Sequence, residues 1–431
     1  MPRKSTKPLR VDIRSYQVGF GDCFLLSFVY AEDDQRHVLI DFGTTGLPRK
    51  AQPSKHMPSV AADIKQHIES TGKLVAVVAT HRHADHISGF GTDGRTGKSG
   101  ETIRDLKPRI VLQPWTEDPD AQEDASKATA AKSAAKGFLA TLSNMNEVAA
   151  KALQLASDNP KWMSTAALKE LSFLGSDNIA NLSAVENLIA MGAAKGARAR
   201  YLRYGDKTGL ESLLPGVKVH VLGPPDLTQS DAIRSQRAED EEEFWQLRRT
   251  TLVDADAIGA RSARGKGANV PAEARWFRDR LQNVSATGLL EIVRQLDAQM
   301  NNTSLILLFE VNGKKLLFPG DAQLENWSYA LSKAKDSARV RALLADVDFY
   351  KVGHHGSRNA TPRKMLWEKF KKTAGQKLET MLSTMAGKHG KTSNKTEVPR
   401  RTLLKELEEK SLLKNTQTLK KADGLFHVTT L

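Results

Sequence analysis

The chain has 431 residues, 40% of them apolar, and a formal net charge of +14. That length and apolar fraction support a sizeable core and exclude a disordered or fibrous protein, and no apolar run approaches the roughly 18–20 residues that a membrane helix requires. The one cysteine, Cys23, excludes an internal disulfide, and the basic N-terminus is not followed by an apolar signal core, so a soluble, cytoplasmic protein is expected.

The segments VDIRSYQVG, DCFLLSFVY and HVLIDFG are β-rich runs broken by Gly, Asp and polar residues, which predicts a meander. Cys23 lies inside the second run and reads as a buried structural thiol. Residues 61–70 predict a helix, 74–79 a buried strand and 109–113 another, the alternation of a layered α/β domain. Helix-forming composition and apolar spacing over residues 116–215 predict a helical insertion. Strand character returns over 218–222 and stops at Gly223, Pro224 and Pro225. Residues 226–300, charged and then rich in Gly and Arg, predict a second helical and loop insertion. Further strands are expected at 304–310, 315–318, 347–352 and 379–383, with helices near 322–334, 362–372 and 399–410. Residues 1–431 therefore read as a single α/β domain with two insertions.

The chemistry concentrates in the segment VVATHRHADHISGF. It places His81, His83, Asp85 and His86 at the end of an apolar strand, before a helix expected to start near Ile87. Two histidines two residues apart in extended backbone point the same way, and the following turn can return an aspartate and a histidine beside them, a layout suited to two cations. Two such ions can share a hydroxide that is nucleophilic at neutral pH and can neutralise charge on a phosphoryl or carbonyl oxygen. Two later segments complete the set. LLFPGDAQ supplies Asp321, expected to bridge the ions, and YKVGHHGSRNATP supplies His354 and His355, either of which can close the second ion's coordination. Asp85, His354 and His355 are the candidate catalytic groups, whichever histidine is not a ligand being placed to orient substrate or donate a proton. Lys351 and Ser357, beside the pair, are candidate phosphate contacts or, respectively, an edge lysine and a turn residue. Asp22 and Asp41 are expected to fix the turns that support the site.

These residues resemble the metallo-β-lactamase superfamily and, more narrowly, the hydrolase domain at the C-terminus of the ComEC competence proteins. The resemblance runs through QVGFGDCFLL, VLIDFG, the histidine cluster, NNTSLILLF with FPGDA, KVGHHGS, and the closing strand, helix and hairpin. It implies an αββα sandwich with helical insertions and a hydrolase using two divalent metal ions, Zn or Mn. Many members carry a Gly-His turn before the bridging aspartate; here that strand ends in Gly-Pro-Pro, and His220 within it is expected to be a side chain of the sheet. Asn301 or Asn302 matches an Asn of the ComEC pattern and is expected to approach a metal or its water. ComEC has membrane spans and this chain has none, so only the hydrolase chemistry carries over.

Residues 358–421 hold 17 Lys and Arg against 6 Asp and Glu, most of the chain's excess charge. Such a surface suits a polyanion, and nucleic acid is the expected partner of this basic C-terminal region. The leading expectation is a phosphodiesterase or nuclease acting on DNA or RNA through a metal-activated hydroxide. The alternatives are a hydrolase of a small phosphodiester or ester, and a non-catalytic, metal-stabilised subunit that binds a protein partner through the helical insertion.

Overall fold

The computed structural model describes residues 6–119, 181–234, 243, 300–390, 392–394, 396–419 and 424–431. The expected meander forms as β1 (Arg10–Tyr16), β2 (Cys23–Ala31) and β3 (Asp34–Phe42), followed by helix α1 (Pro53–Thr71) and β4 (Gly72–Val78). After the short helices α2 (Ala84–Ile87) and α3 (Ser99–Asp105) come β5 (Ile110–Pro114), α4 (Leu182–Ala193), β6 (Arg198–Leu202) and β7 (Val217–Gly223). The second half contains β8 (Ile306–Val311), β9 (Lys314–Phe318), α5 (Leu324–Ser328), α6 (Ser337–Ala345), β10 (Phe349–Lys351), β11 (Glu379–Leu382), α7 (Arg401–Lys410), β12 (Leu412–Asn415) and β13 (Phe426–Thr430).

The strands make two mixed sheets, β13-β1-β2-β3-β4-β5-β6 and β12-β11-β10-β9-β8-β7. Each has an antiparallel part that passes into a parallel one: β3 to β6 run parallel in the first sheet, and β9 to β12 in the second. The result is a mixed α/β fold. Period-two alternation directs the side chains. On β2, Phe24, Leu26 and Phe28 join Phe309, Leu316 and Phe349 of the second sheet in one apolar cluster. Cys23 and Leu25 point the other way, into a cluster with Met57 and Ile64 of α1, Ile103 of α3 and Leu188 of α4. A third cluster sets Leu308, Leu317 and Tyr350 of the second sheet against Trp327, Val340, Leu403 and Leu407. Cys23 is thus a core thiol, and burial, with smaller contributions from Asp41 and Asp22, pushes its pKa well up. Among the described residues no helix is long and apolar enough to cross a membrane.

Several expectations change. Residues 120–180, most of the first expected insertion, lie outside the described residues. Of the remainder, α4 is part of the second cluster and β6 pairs parallel with β5, so residues 182–202 belong to the domain's own layers rather than to an insertion. The second expected insertion is described only at its ends and at Glu243. No continuous helix spans residues 362–372. Phe370 is buried beside Trp367 and takes extended backbone (φ −69°, ψ 109°), leaving two 3-10 turns, Trp367–Lys369 and Lys371–Thr373. The helix expected from Ile87 starts three residues earlier, at Ala84.

Candidate metal centre

The cluster forms where parallel strands end, the position at which open α/β sheets expose converging loops. His81 and His83 follow β4, Asp321 follows β9, and His354 and His355 follow β10. His83 is the N-cap of the four-residue helix α2, which carries Asp85 and His86. So short a helix is not stable alone. Its backbone is clamped instead: Asp22 N–H donates to Asp85 O at 2.8 Å, and Thr44 N–H to Ala84 O at 3.1 Å. Gly43 permits this approach, because a Cβ there would lie 2.5 Å from Ala84 O and from His86 N.

Among the described residues three buried groups could hold a metal ion: Asp85, His86, Asp321 and His355; His81, His83 and Asp85; and Asp22, Asp41 and His86. In the first, His355 Nε2 stands 3.1 Å from Asp85 Oδ2 and 3.7 Å from Asp321 Oδ2, while His86 Nε2 stands 3.1 Å from Asp321 Oδ2 and 3.9 Å from Asp85 Oδ1. In the second, His81 Nε2 and His83 Nδ1 are 3.0 Å apart. Tertiary placement separates the adjacent histidines that spacing left equivalent. His355 is fully buried inside the four-residue group, whereas the His354 side chain is 24% exposed at its rim, 3.7 Å from Asp321 Oδ2. Both take left-handed backbone, φ 45° and 50°, a conformation costly for non-glycine residues and often kept where a site needs it. The backbone around them is tied down by His354 N–H to Gly320 O and Ser357 N–H to His354 O.

The outer nitrogens of the ligand rings are committed, which fixes the inner ones. His86 Nδ1 lies 2.8 Å from Asp41 Oδ2, and Asp41 also accepts from Thr80 N–H and Thr80 Oγ1. His355 Nδ1 donates to Ser383 O at 2.9 Å. Both rings therefore turn Nε2 toward the carboxylates, the orientation that second partners give to metal-binding histidines. Lys351 lies beneath them, 1% exposed, paired with Asp22, donating to Gly320 O at 3.1 Å and standing 3.5 Å from Asp321 Oδ1.

Asp22, Asp41, Asp85 and Asp321 bring four carboxylates into this interior, with the Lys351 ammonium among them. Burial opposes charge on every one of these groups, and the neighbours decide the outcome. For His86, Asp321, Asp41, Asp85 and Asp22 outweigh burial and hold its pKa well above the usual imidazole value. Asp321 is held well below the carboxylate range, burial being overcome by His86, His354, His355 and Lys351. His83 goes the other way, pushed by burial down to about 4, and His81 also falls well below its ordinary value. Neutral imidazoles and ionised carboxylates are the forms that bind cations. Asp85 Oδ1, His86 Nε2 and both Asp321 oxygens have no hydrogen-bond partner, an arrangement that is costly in a buried site and that a cation would satisfy. The residues therefore fit a metal.

The remaining candidates sit differently from expectation. Lys351 is neither an edge lysine nor open to a phosphate, because its ammonium is enclosed by Asp22, Asp321 and Gly320. Ser357 donates its hydroxyl to Asn359 Oδ1 and so serves the turn. Asn302 donates to Glu325 Oε2 at 3.3 Å, and Asn301 is buried with no hydrogen-bond partner for its Oδ1. His220 is a sheet residue facing Glu310 across β7 and β8. The sequence reading missed two neighbours, Thr80 and His389. The ring of His389 lies tilted against Phe20, centroids 4.2 Å apart, and the His355 ring lies tilted against the same phenylalanine at 4.3 Å. Neither carries a sequence signal beyond its closeness to a motif. No family model matches the chain, and no curated protein matches it.

Proposed function

We propose that the protein is a metal-dependent hydrolase of the metallo-β-lactamase fold that cleaves phosphodiesters, with DNA or RNA as its substrate. The reading is carried by one observation: Asp85, His86, Asp321 and His355, from three separate strand ends, meet in a buried group with unsatisfied donor atoms. The sheet pair with apolar clusters between and outside the sheets supports an αββα sandwich. Divalent cations held here, Zn or Mn, would supply Lewis acidity and make a water nucleophilic at neutral pH.

The chain's own groups supply the rest. Asp41 and Ser383 O orient the two ligand rings, and the buried walls keep bulk water from the inner donors. His354, exposed at the rim, is the group placed to meet a leaving oxygen or to orient a phosphate. The loop after β11 borders the same site, where the Lys388 chain runs against Gly46 and the His389 ring lies tilted against Phe20. Lys388 is the basic side chain of the C-terminal region in this loop, and positive charge near the cluster would suit a polyanionic substrate. Part of the surplus is spent internally, since Lys372 pairs with Asp348, Lys410 with Glu406 and Arg400 with Glu397.

A second reading, a small phosphodiester or ester as substrate, is favoured by a cavity of about 370 Å³ beside Ala84, lined by Thr44, Thr45, Ser88, Thr96 and Ser183. The deciding experiment is cleavage of labelled single- and double-stranded DNA and RNA by protein loaded with Mn or Zn, beside Asp85→Ala and His86→Ala. Cleavage abolished in both variants is expected. A loaded protein that leaves every polymer intact but hydrolyses a small diester would transfer the conclusion to the second reading, and no turnover at all would leave a metal-stabilised binding subunit.

A further inference from the structure

We propose that the free edge of the first sheet, β6 together with the turn that leads into β5, is a docking surface for the phosphate backbone of a nucleic acid, separate from the metal cluster. That a strand docked there is also the substrate rests on the reading of the cluster as a nuclease site; the docking itself does not.

β6 is the last strand of its sheet, and among the described residues no strand pairs with its outer edge. Residues 104–109 and 195–207, which build this margin, hold eight Lys and Arg against two Asp. Of these, Arg203 is spent on Asp226 and Asp206. Lys107, Arg109, Lys195, Arg198, Arg200 and Lys207 are all exposed, and among the described residues none of the six has a carboxylate partner. They converge because β6 lies parallel to β5, with Arg198 N–H donating to Arg109 O at 3.0 Å, and because Arg200 Nη2 donates to Lys207 O at 2.8 Å. Alternation wraps the charge round the edge: Arg198 and Arg200 share the side on which Leu202 enters the inter-sheet cluster, and Arg109 shares the side of Val111, which packs with the helices. Cations gathered in this way repel one another, and a polyanion relieves the repulsion.

Nucleic acid is the occupant that this chemistry selects. A duplex carries one negative charge per about 1.7 Å of axis, and exposed cations read that charge without reading a base sequence. Arg198 and Arg200 stand about 6.6 Å apart along their strand, the axial reach of two phosphates of one duplex strand at about 3.4 Å each. A membrane surface fits less well, because the exposed large apolar side chains among the described residues, Leu9, Leu182, Leu412 and Val428, lie outside both segments. β6 also runs parallel to β5 and to β4, whose carboxyl end leads into His81, and it lies two strand spacings from β4, about 10 Å. A polymer that follows the edge toward the carboxyl ends of the strands therefore passes beside the loops of the cluster. Cations on a free edge also keep sheets from pairing with one another, a role that needs no nucleic acid.

The test is binding of short labelled single- and double-stranded DNA and RNA to the metal-free full chain, followed by fluorescence anisotropy over a series of salt concentrations. The triple variant Arg109→Gln, Arg198→Gln, Arg200→Gln should weaken binding at least about tenfold whatever the sequence, and should lower the slope of log affinity against log salt by about 2–3, the share of three phosphate contacts. Arg109→Lys, Arg198→Lys and Arg200→Lys together keep the charge and should retain the slope. Lys369→Gln, Lys371→Gln and Lys377→Gln remove equal charge from exposed positions of the C-terminal region and should lower the slope by less than about 1. A Gln variant of the edge that binds as the parent does, or that only self-associates, would overturn the proposal and leave the cations as protection of a free edge. Equal losses in the two Gln variants would overturn the location. Polyglutamate or phosphatidylserine vesicles bound through the edge as tightly as DNA would overturn nucleic acid as the occupant. With metal absent none of these outcomes depends on cleavage, so a chain that docks DNA here and leaves it intact when loaded with Mn keeps this surface and loses the nuclease reading.

Discussion

Asp41 Oδ2 lies 2.8 Å from His86 Nδ1, and this contact turns the opposite nitrogen of the ring toward Asp321. Asp41 itself takes left-handed backbone, φ 56°, and its carboxylate is further held by Thr80 N–H and Thr80 Oγ1 at 2.7 and 2.8 Å. A residue so constrained would act on a bound metal through the ring it orients. Asp41→Ala should lower ion affinity about 10–100-fold, the usual effect of losing an outer partner of a metal ligand. Asp41→Asn, which keeps an acceptor oxygen, should fall between the two. Metal titration of the folded variants measures it, and unchanged affinity in Asp41→Ala would show that the ring is held by its packing instead.

Lys351 compensates part of the charge of Asp22 and Asp321 inside the core. Removing one partner of a buried ion pair leaves the other uncompensated, so Lys351→Met should destabilise the metal-free protein by about 3–5 kcal/mol. Urea unfolding provides the number. A cost below about 1 kcal/mol, the level of a surface pair, would contradict the enclosed position.

With its raised pKa, His86 would release a proton on binding a metal. Its pKa in the folded, metal-free protein is raised well above the imidazole value because Asp321, Asp41, Asp85 and Asp22 together outweigh burial. The sign follows from linkage: the proton stabilises the fold fully below the unfolded imidazole value, about 6.5, and that stability is lost as pH rises through the raised folded value. A cation at His86 Nε2 displaces the proton and removes this loss. Calorimetry at neutral pH in buffers of different ionisation enthalpy should report proton release on metal binding, and metal-free protein should lose stability on the alkaline side where loaded protein does not. Heats that are the same in all buffers would contradict the protonated state.

Gly43 sets the distance between the end of β3 and α2. An added Cβ would stand 2.5 Å from Ala84 O and from His86 N, both backbone atoms that cannot rotate aside. Gly43→Ala should therefore cost about 1–3 kcal/mol in thermal stability, as overpacking does, and should weaken metal retention at the same time by moving His86. Loss of stability with full metal retention would separate the two effects and place the strain elsewhere.

How much of this was legible in the sequence depends on how local each signal is. His81, His83, Asp85 and His86 sit within six consecutive positions at one strand end, and their grouping needed no tertiary information. The strands β2, β4 and β8 were visible as short apolar runs because both faces of each are buried. By contrast, β6 reads RARYL, an exposed edge strand with a weak apolar pattern, and it was absorbed into an expected helical segment. Residues 362–372 have helical composition, but the burial of Trp367 and Phe370 in the third cluster bends the chain into separate turns.

The sequence by itself determined the kinds of donor and the strand ends on which they stand, because histidines and aspartates at fixed local spacing leave a pattern that folding does not alter. Tertiary structure decided which donors meet. Asp85 and His355 are 270 positions apart and come within 3.1 Å because side chains of the two sheets pack into one apolar cluster. The same packing buried His355 and left His354 at the rim, and it enclosed Lys351 between two carboxylates rather than facing it to a substrate. Neighbouring residues of one loop differ in such roles because burial and charge are set by what the rest of the chain brings against them.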